Sequence, residues 1–284
     1  MTNGQSEKKL DKLIRMALHE DVGAGDITSE LTVPEDSRCT ATLRAKQDGI
    51  LSGISLFRRI FDHVEADIED WQAADDASTF ENKQVVARFK GLTRGVLTGE
   101  RTALNFLQHL SGIATTTAMY VKATGEYQPR ICDTRKTTPL LRDLEKAAVR
   151  DGGGYNHRHG LSDGILIKEN HVQAAGGIGR AVALAKAGAH HLMNVEIEVR
   201  DLDECAQATD AGARVIMLDN MSLDDMATAV ASGKDKGILF EASGNVTLAR
   251  VGEIAVTGVH IISVGAITHS ANAADLSLTI TIDS

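Results

Sequence analysis

The chain has 284 residues, 43% hydrophobic and 24% charged, which excludes a disordered polymer and allows one large domain or two unequal ones. With 30 Lys and Arg against 39 Asp and Glu, the net charge of −9 argues against a nucleic-acid backbone as partner, and a 4% aromatic share argues against a base-stacking surface. Three separated cysteines (Cys39, Cys132, Cys205) match neither a disulfide framework nor a zinc spacing, so a reducing cytoplasm is expected. The polar start lacks a signal-peptide core, and no uncharged apolar run of about 18 residues is present to span a membrane.

In chain order, residues 39–46 and 84–97 alternate as half-buried strands, with a helix expected over 55–64. A long helix is expected over 99–124, because Leu104, Leu107, Leu110 and Ile113 recur at helical spacing. From about residue 129 the pattern changes. Apolar runs at 129–136, 164–170, 192–199, 213–220, 237–244 and 260–267 each end in a polar, charged or glycine residue, as strands buried on both faces do. Helical segments between them stop near Gly188, Gly212, Gly233 and Gly258, and Asp201 and Ser222 stand where helix N-caps belong. These units favour a barrel over an open doubly wound sheet, because every strand end carries a usable group instead of one switch point carrying them all. The tail, 275–284, alternates again and is a candidate strand returning to the first domain.

In such a barrel the chemistry projects from the C-terminal strand ends. Read in order these are Arg135 and Lys136, Lys168, Glu198, Asp219, Ser243-Gly244-Asn245, and Gly265 with His269, joined by the loop Asn156-His157-Arg158-His159. The glycine-rich ends suit a phosphate, the two carboxylates suit Mg²⁺, and the cations suit a multiply charged acid. Singly, each has a plainer reading: Lys168 and Glu198 as salt-bridge partners, SGN as a turn, His-Arg-His as a solvated loop. The case rests on their conjunction. A zinc site is not expected, since His157, His159 and His171 lack a cysteine or an i,i+4 pair. GGIG at 176–179 follows no convincing strand, so a dinucleotide fingerprint is not expected either.

The stretches HEDVGAGDIT (19–28), GERTALNFLQHLSGIAT (99–115), DTRKTT…KENH (133–171), VEIEV (195–199), MLDN (217–220), EASGNV (241–246) and SVGAITHSANAADLSL (263–278) closely resemble the quinolinate phosphoribosyltransferases, also called decarboxylating nicotinate-nucleotide pyrophosphorylases. The likeness runs nearly end to end. A related protein associated with molybdenum transport is the runner-up on the same fold. The resemblance implies an α/β chain: an N-terminal α/β sandwich domain (1–112, with the tail 275–284) and an incomplete, six- to seven-stranded α/β barrel (113–274). It implies transfer of phosphoribosyl from phosphoribosyl pyrophosphate to quinolinate with decarboxylation, giving nicotinate mononucleotide, pyrophosphate and CO₂ in de novo NAD biosynthesis.

By the same likeness Thr134, Arg135, His157, Arg158 and Lys168 line the quinolinate pocket with Lys136 beside them. Glu198 and Asp219 lie near the ribose and the Mg²⁺ that phosphoribosyl pyrophosphate carries. Ser243, Gly244, Asn245, Gly265 and His269 lie by the 5′-phosphate. Lys136, Lys168, Glu198 and Asp219 are the expected catalytic groups. Arg101 is expected to reach the pocket of a neighbouring subunit, making the active unit a homodimer or larger, with small molecules as its only other partners. Two readings from other classes remain: a lyase using a Lys168 Schiff base, and a non-catalytic oxyanion binder.

Overall fold

The computed structural model describes residues 3–283; residues 1, 2 and 284 of the expected domain ranges lie outside the described residues. The chain divides into two compact units, Met1–Thr115 with Asn272–Ser284, and Thr116–Ala271.

The first unit opens with helices α1 (Asn3–Val22) and α2 (Ile27–Thr32), the second capped by Asp26, whose Oδ1 accepts the Ser29 N–H at 3.1 Å. Strand β1 (Arg38–Ala45) is followed by β2 (Gly49–Ile50), α3 (Ile54–His63), β3 (Glu69–Ala73), β4 (Thr79–Phe80) and β5 (Val85–Leu92). Alternation does its expected work in β1, where Cys39, Ala41, Leu43 and Ala45 are buried. Phe57 and Phe61 of α3 meet Phe89 of β5 with ring centroids 6.4 and 5.2 Å apart. The tail forms β12 (Leu276–Ile282), antiparallel to β1 from Cys39↔Ile282 to Ala45↔Leu276, and the sheet order is β12-β1-β5-β3.

One expectation is corrected here. The strand expected over 84–97 stops at Leu92, and helix α4 (Thr93–Ala123) starts six residues before the helix expected over 99–124. Thr93 is the turning point. Its N–H donates to Ser37 O at 2.8 Å and its hydroxyl meets Ser37 Oγ at 2.9 Å. Gly95 then allows close contact, since a Cβ there would lie 2.5 Å from Ala66 Cα.

The second unit alternates strands and helices: β6 (Arg130–Cys132), α5 (Arg142–Asp151), β7 (Ile165–Ile167), α6 (Glu169–Ala175), α7 (Ile178–Gly188), β8 (Val195–Val199), α8 (Leu202–Asp210), β9 (Val215–Asp219), α9 (Leu223–Ser232), β10 (Leu239–Ser243), α10 (Val251–Val256), β11 (Ile261–Ser263) and α11 (Ala266–His269). The six strands are parallel in the order β6-β11-β10-β9-β8-β7, which is a barrel left open between β6 and β7. Beside β6, Tyr155 forms a parallel bridge with Cys132, so the loop after α5 occupies part of the missing place. Asp201 and Ser222 cap α8 and α9 through the Glu204 and Asp225 N–H groups. Val195, Ile197, Ile216, Leu218, Phe240 and Ala242 fill the strands' buried positions.

Candidate active site

The C-terminal ends of the parallel strands open into a cleft of about 570 Å³. Thr134, Arg135 and Lys136 reach it from the turn after β6, His157 and Arg158 from the loop after α5, and Lys168 from the end of β7. Glu198 enters from β8, Asp219 and Asn220 from β9, and Ser243, Gly244 and Asn245 from β10. Gly265 and His269 are not in the cleft wall. They back Lys136 instead: a Cβ at Gly265 would lie 3.1 Å from Lys136 Cδ and 3.2 Å from His269 Cδ2, and Thr268 Oγ1 donates to Lys136 O at 2.8 Å. Arg101 is an exposed residue of α4 in the first unit and is not part of the wall.

The two cationic loops share a foundation that sequence reasoning missed. Asp133 and Lys146, buried at 0% and 3% exposure, form an ion pair. Asp133 Oδ1 also accepts the His157 N–H at 2.9 Å, its Oδ2 accepts Asn156 Nδ2 at 2.6 Å, and Lys146 Nζ donates to His157 O at 3.0 Å. Burial pushes the Asp133 carboxyl above its ordinary range, even with Lys146 pulling it down. Arg142 ties the same loops from outside, donating to Thr137 Oγ1 (2.9 Å), Arg135 O (3.2 Å) and His159 O (3.1 Å). Arg158 donates from Nη1 to Gly164 O at 2.8 Å, while its buried Nε has no partner. Burial and the neighbouring Arg135 charge lower its pKa, so this guanidinium is primed for an anion.

Across the cleft stand the acids. Lys168 Nζ pairs with Glu198 Oε2 at 2.6 Å. Asn220, left-handed at φ +56°, donates from Nδ2 to Asp219 Oδ2 at 3.0 Å and accepts Asn245 Nδ2 at 2.9 Å. Asn220 was not singled out from the sequence, although an asparagine at a strand end is a recognisable left-handed position. Gly244 is required beside it. Its φ is +89°, and a Cβ would fall 2.4 Å from the Asn220 side chain.

Beneath His157 lie two further residues missed by sequence reasoning, Glu196 and Glu241, at 8% and 2% exposure. Their signal was available: acids inside apolar strand runs, VEIEV and LFEAS. Burial and the adjacent Glu196 carboxylate push Glu241 up to about 8. Burial pulls the His157 imidazole down, but Glu196 and Glu241 outweigh it and hold its pKa above the ordinary value.

The chain as a whole is similar to known proteins. Residues 113–279 match the family model of the quinolinate phosphoribosyl transferase C-terminal domain, and residues 26–111 match that of its N-terminal domain. A probable nicotinate-nucleotide pyrophosphorylase (carboxylating) of Bacillus subtilis is 41% identical over 274 residues, covering 96% of this chain and 94% of that protein. Among solved structures, NadC from Streptococcus pyogenes superposes with a TM-score of 0.93 at 38% identity, covering 100% of this chain and 99% of that one. The nicotinate-nucleotide pyrophosphorylase from Francisella tularensis gives 0.92 at 42%, with 96% of each chain covered. With both domain models matched and identities near 40% along almost the whole length, the chain belongs to the quinolinate phosphoribosyltransferase family.

Proposed function

We propose that this chain transfers the phosphoribosyl group of phosphoribosyl pyrophosphate to the ring nitrogen of quinolinate, with loss of CO₂, to give nicotinate mononucleotide and pyrophosphate. The observation that carries the reading is the composition of one cleft, lined by Arg135, Lys136, Arg158 and Lys168 together with Glu198 and Asp219. Two carboxylates on a flat ring match planar guanidinium groups, and Arg135 and Arg158 bring two such groups to one cleft.

The pyridine nitrogen attacks the anomeric carbon as pyrophosphate leaves, and positive charge develops on the ribose. Glu198 and Asp219 supply the fixed negative charge that lowers the energy of that state. The product nitrogen is cationic, so when the adjacent carbon–carboxylate bond breaks the electron pair left on the ring carbon is stabilised by N⁺, and a proton then takes the place of CO₂. No side-chain nucleophile is called for; orientation and preorganised charge supply the rate. The bare turn Ser243-Gly244-Asn245 leaves room for the 5′-phosphate, and Gly265 and His269 act on it through Lys136.

The oxygen donors of the cleft fit Mg²⁺. Glu198 is already held by Lys168, so Asp219, met only by a neutral amide, is the better ligand. The ion would neutralise the departing pyrophosphate. We take the active unit to be a homodimer in which Arg101 completes the neighbour's site, working in the cytoplasm; the three cysteines are free and buried, and no described helix is long and apolar enough to cross a membrane. The test is product stoichiometry: pyrophosphate and CO₂ released in equal amounts, only when quinolinate and phosphoribosyl pyrophosphate are both present, with nicotinate failing as a substitute. Turnover of nicotinate, or CO₂ without pyrophosphate, would overturn the reading.

A further inference from the structure

The barrel is hollow at both ends. Opposite the cleft, a second cavity of about 800 Å³ opens among the strand starts, at Arg130, Ile165, Val215 and Ile261. His157 and Arg158 border both spaces, whereas Glu196 and Glu241 border only the second. Two carboxyl groups buried side by side cost several kcal/mol unless something is gained from them. The mechanism above makes no use of them.

Their contacts show what they hold. His157 Nε2 lies 3.2 Å from Glu196 Oε2 and 3.6 Å from Glu241 Oε1, and Ser263 Oγ donates to that same Glu241 oxygen. The other ring nitrogen, Nδ1, accepts the backbone N–H of Arg158 at 2.7 Å. Because Nδ1 accepts this N–H, the ring carries its one proton on Nε2, facing the two acids, and the accepted bond opposes the imidazolium that those acids would otherwise favour. With its N–H held by Asp133 and its carbonyl by Lys146, every polar atom of His157 is engaged by the protein. No ring nitrogen is left for a ligand. His157, Glu196 and Glu241 also form the one described cluster with the residue types to hold a metal ion. A nitrogen that carries a proton is a donor, though, and not a metal ligand.

We propose that Glu196 and Glu241 are positioning residues for the reaction. Glu196 holds the Nε2–H of His157 from behind the cleft, and Glu241, 3.6 Å from that nitrogen, packs behind the pair; together they lock the ring as a fixed wall, and through its Nδ1 fix the backbone from which the Arg158 guanidinium reaches the dicarboxylate. His157 shapes the pocket and does not bind the substrate through a ring nitrogen. Without Glu196 the ring turns, the Arg158 N–H loses its acceptor, and the guanidinium loses its aim. The inference rests on reading the cleft as the quinolinate site.

Two measurements test it, one made without substrate. Nitrogen-15 histidine spectra of the free enzyme, with His157 assigned by the signal lost in His157→Gln, should show the Nε2–H tautomer in the wild type and a mixture of tautomers in Glu196→Ala. In steady-state kinetics Glu196→Ala should raise KM for quinolinate by about tenfold, with kcat and KM for phosphoribosyl pyrophosphate within about twofold; Glu196→Gln, whose amide oxygen still accepts the proton, should recover most of the loss. A wild-type ring protonated on Nδ1, or loss of the Nε2 proton on adding zinc chloride, would overturn the proposal, as would an unchanged quinolinate KM in folded Glu196→Ala. Should Glu196→Ala not fold, the same comparison is read on Glu241→Ala. Failure of the quinolinate reading itself would look different: the wild type would not turn quinolinate over, whatever its histidine spectrum.

Discussion

Gly244 shows how narrowly a single position is set. Its backbone is left-handed, and the space that a Cβ would need is filled by Asn220, which in turn holds Asp219 and Asn245. Gly244→Ala therefore imposes two costs at once, a strained φ and a displaced Asn220. A loss of about 1–3 kcal/mol in thermal or chemical unfolding is expected, with KM for phosphoribosyl pyrophosphate rising more than KM for quinolinate if the disturbed groups serve the ribose, as proposed. Equal effects on both constants would count against that division of the cleft.

Between elements, two buried charged groupings set the stability of the second unit. Lys146→Met leaves Asp133 in the interior without its cation, under the loop that carries His157 and Arg158. The expected loss is about 3–5 kcal/mol, read as a lower denaturant midpoint. Glu241 gives a pH signature instead. Its pKa is about 8 in the folded protein against an ordinary 4.5, so the native state binds this proton more tightly than the unfolded chain does. The stability it contributes is complete below about pH 4.5 and is lost as pH rises through 8. Glu241→Gln, a neutral mimic of the protonated acid, should flatten that decline, so that the gap between the two proteins' unfolding stabilities widens as pH rises from about 5 to about 8. Parallel curves would show that the proton is not held there.

The βα period and the strand-end residues were legible because each is local: an apolar run, a polar terminus, a glycine stop. Asp133, Lys146, Glu196 and Glu241 were not, because their meaning lies in partners brought from other elements, and a charged residue in isolation reads as surface. The boundary at Thr93 escaped for a related reason. Alternation runs through it, and only Ser37, 56 positions away, turns the strand into a helix. Gly265 and His269 were read as neighbours of a phosphate, and the structure adds a contact that the sequence does not show: Gly265 packs close to the side chains of both Lys136 and His269.

For the whole molecule, the question is whether one copy suffices. Arg101 is exposed on the first unit, and the cleft wall described above is built from the second. If a neighbouring subunit supplies Arg101, then Arg101→Ala and Lys136→Ala should each be inactive alone, while mixed and reassembled protein regains part of the activity, because one site in each hybrid is intact. Hybrids that stay inactive, with subunit exchange confirmed by size, would mean that Arg101 acts within its own chain or not at all.

The pairing of β12 with β1 reaches across 243 positions at Thr40 and Asp283. A ribosome must therefore release the entire second unit before the first can close its sheet. Until then β1 presents an open edge along the side that β12 will cover, a template for stray pairing with other nascent chains. Vectorial, front-to-back folding is closed to this topology: the earlier-made unit is the later one to finish, and crowded synthesis is where this protein is most exposed to aggregation.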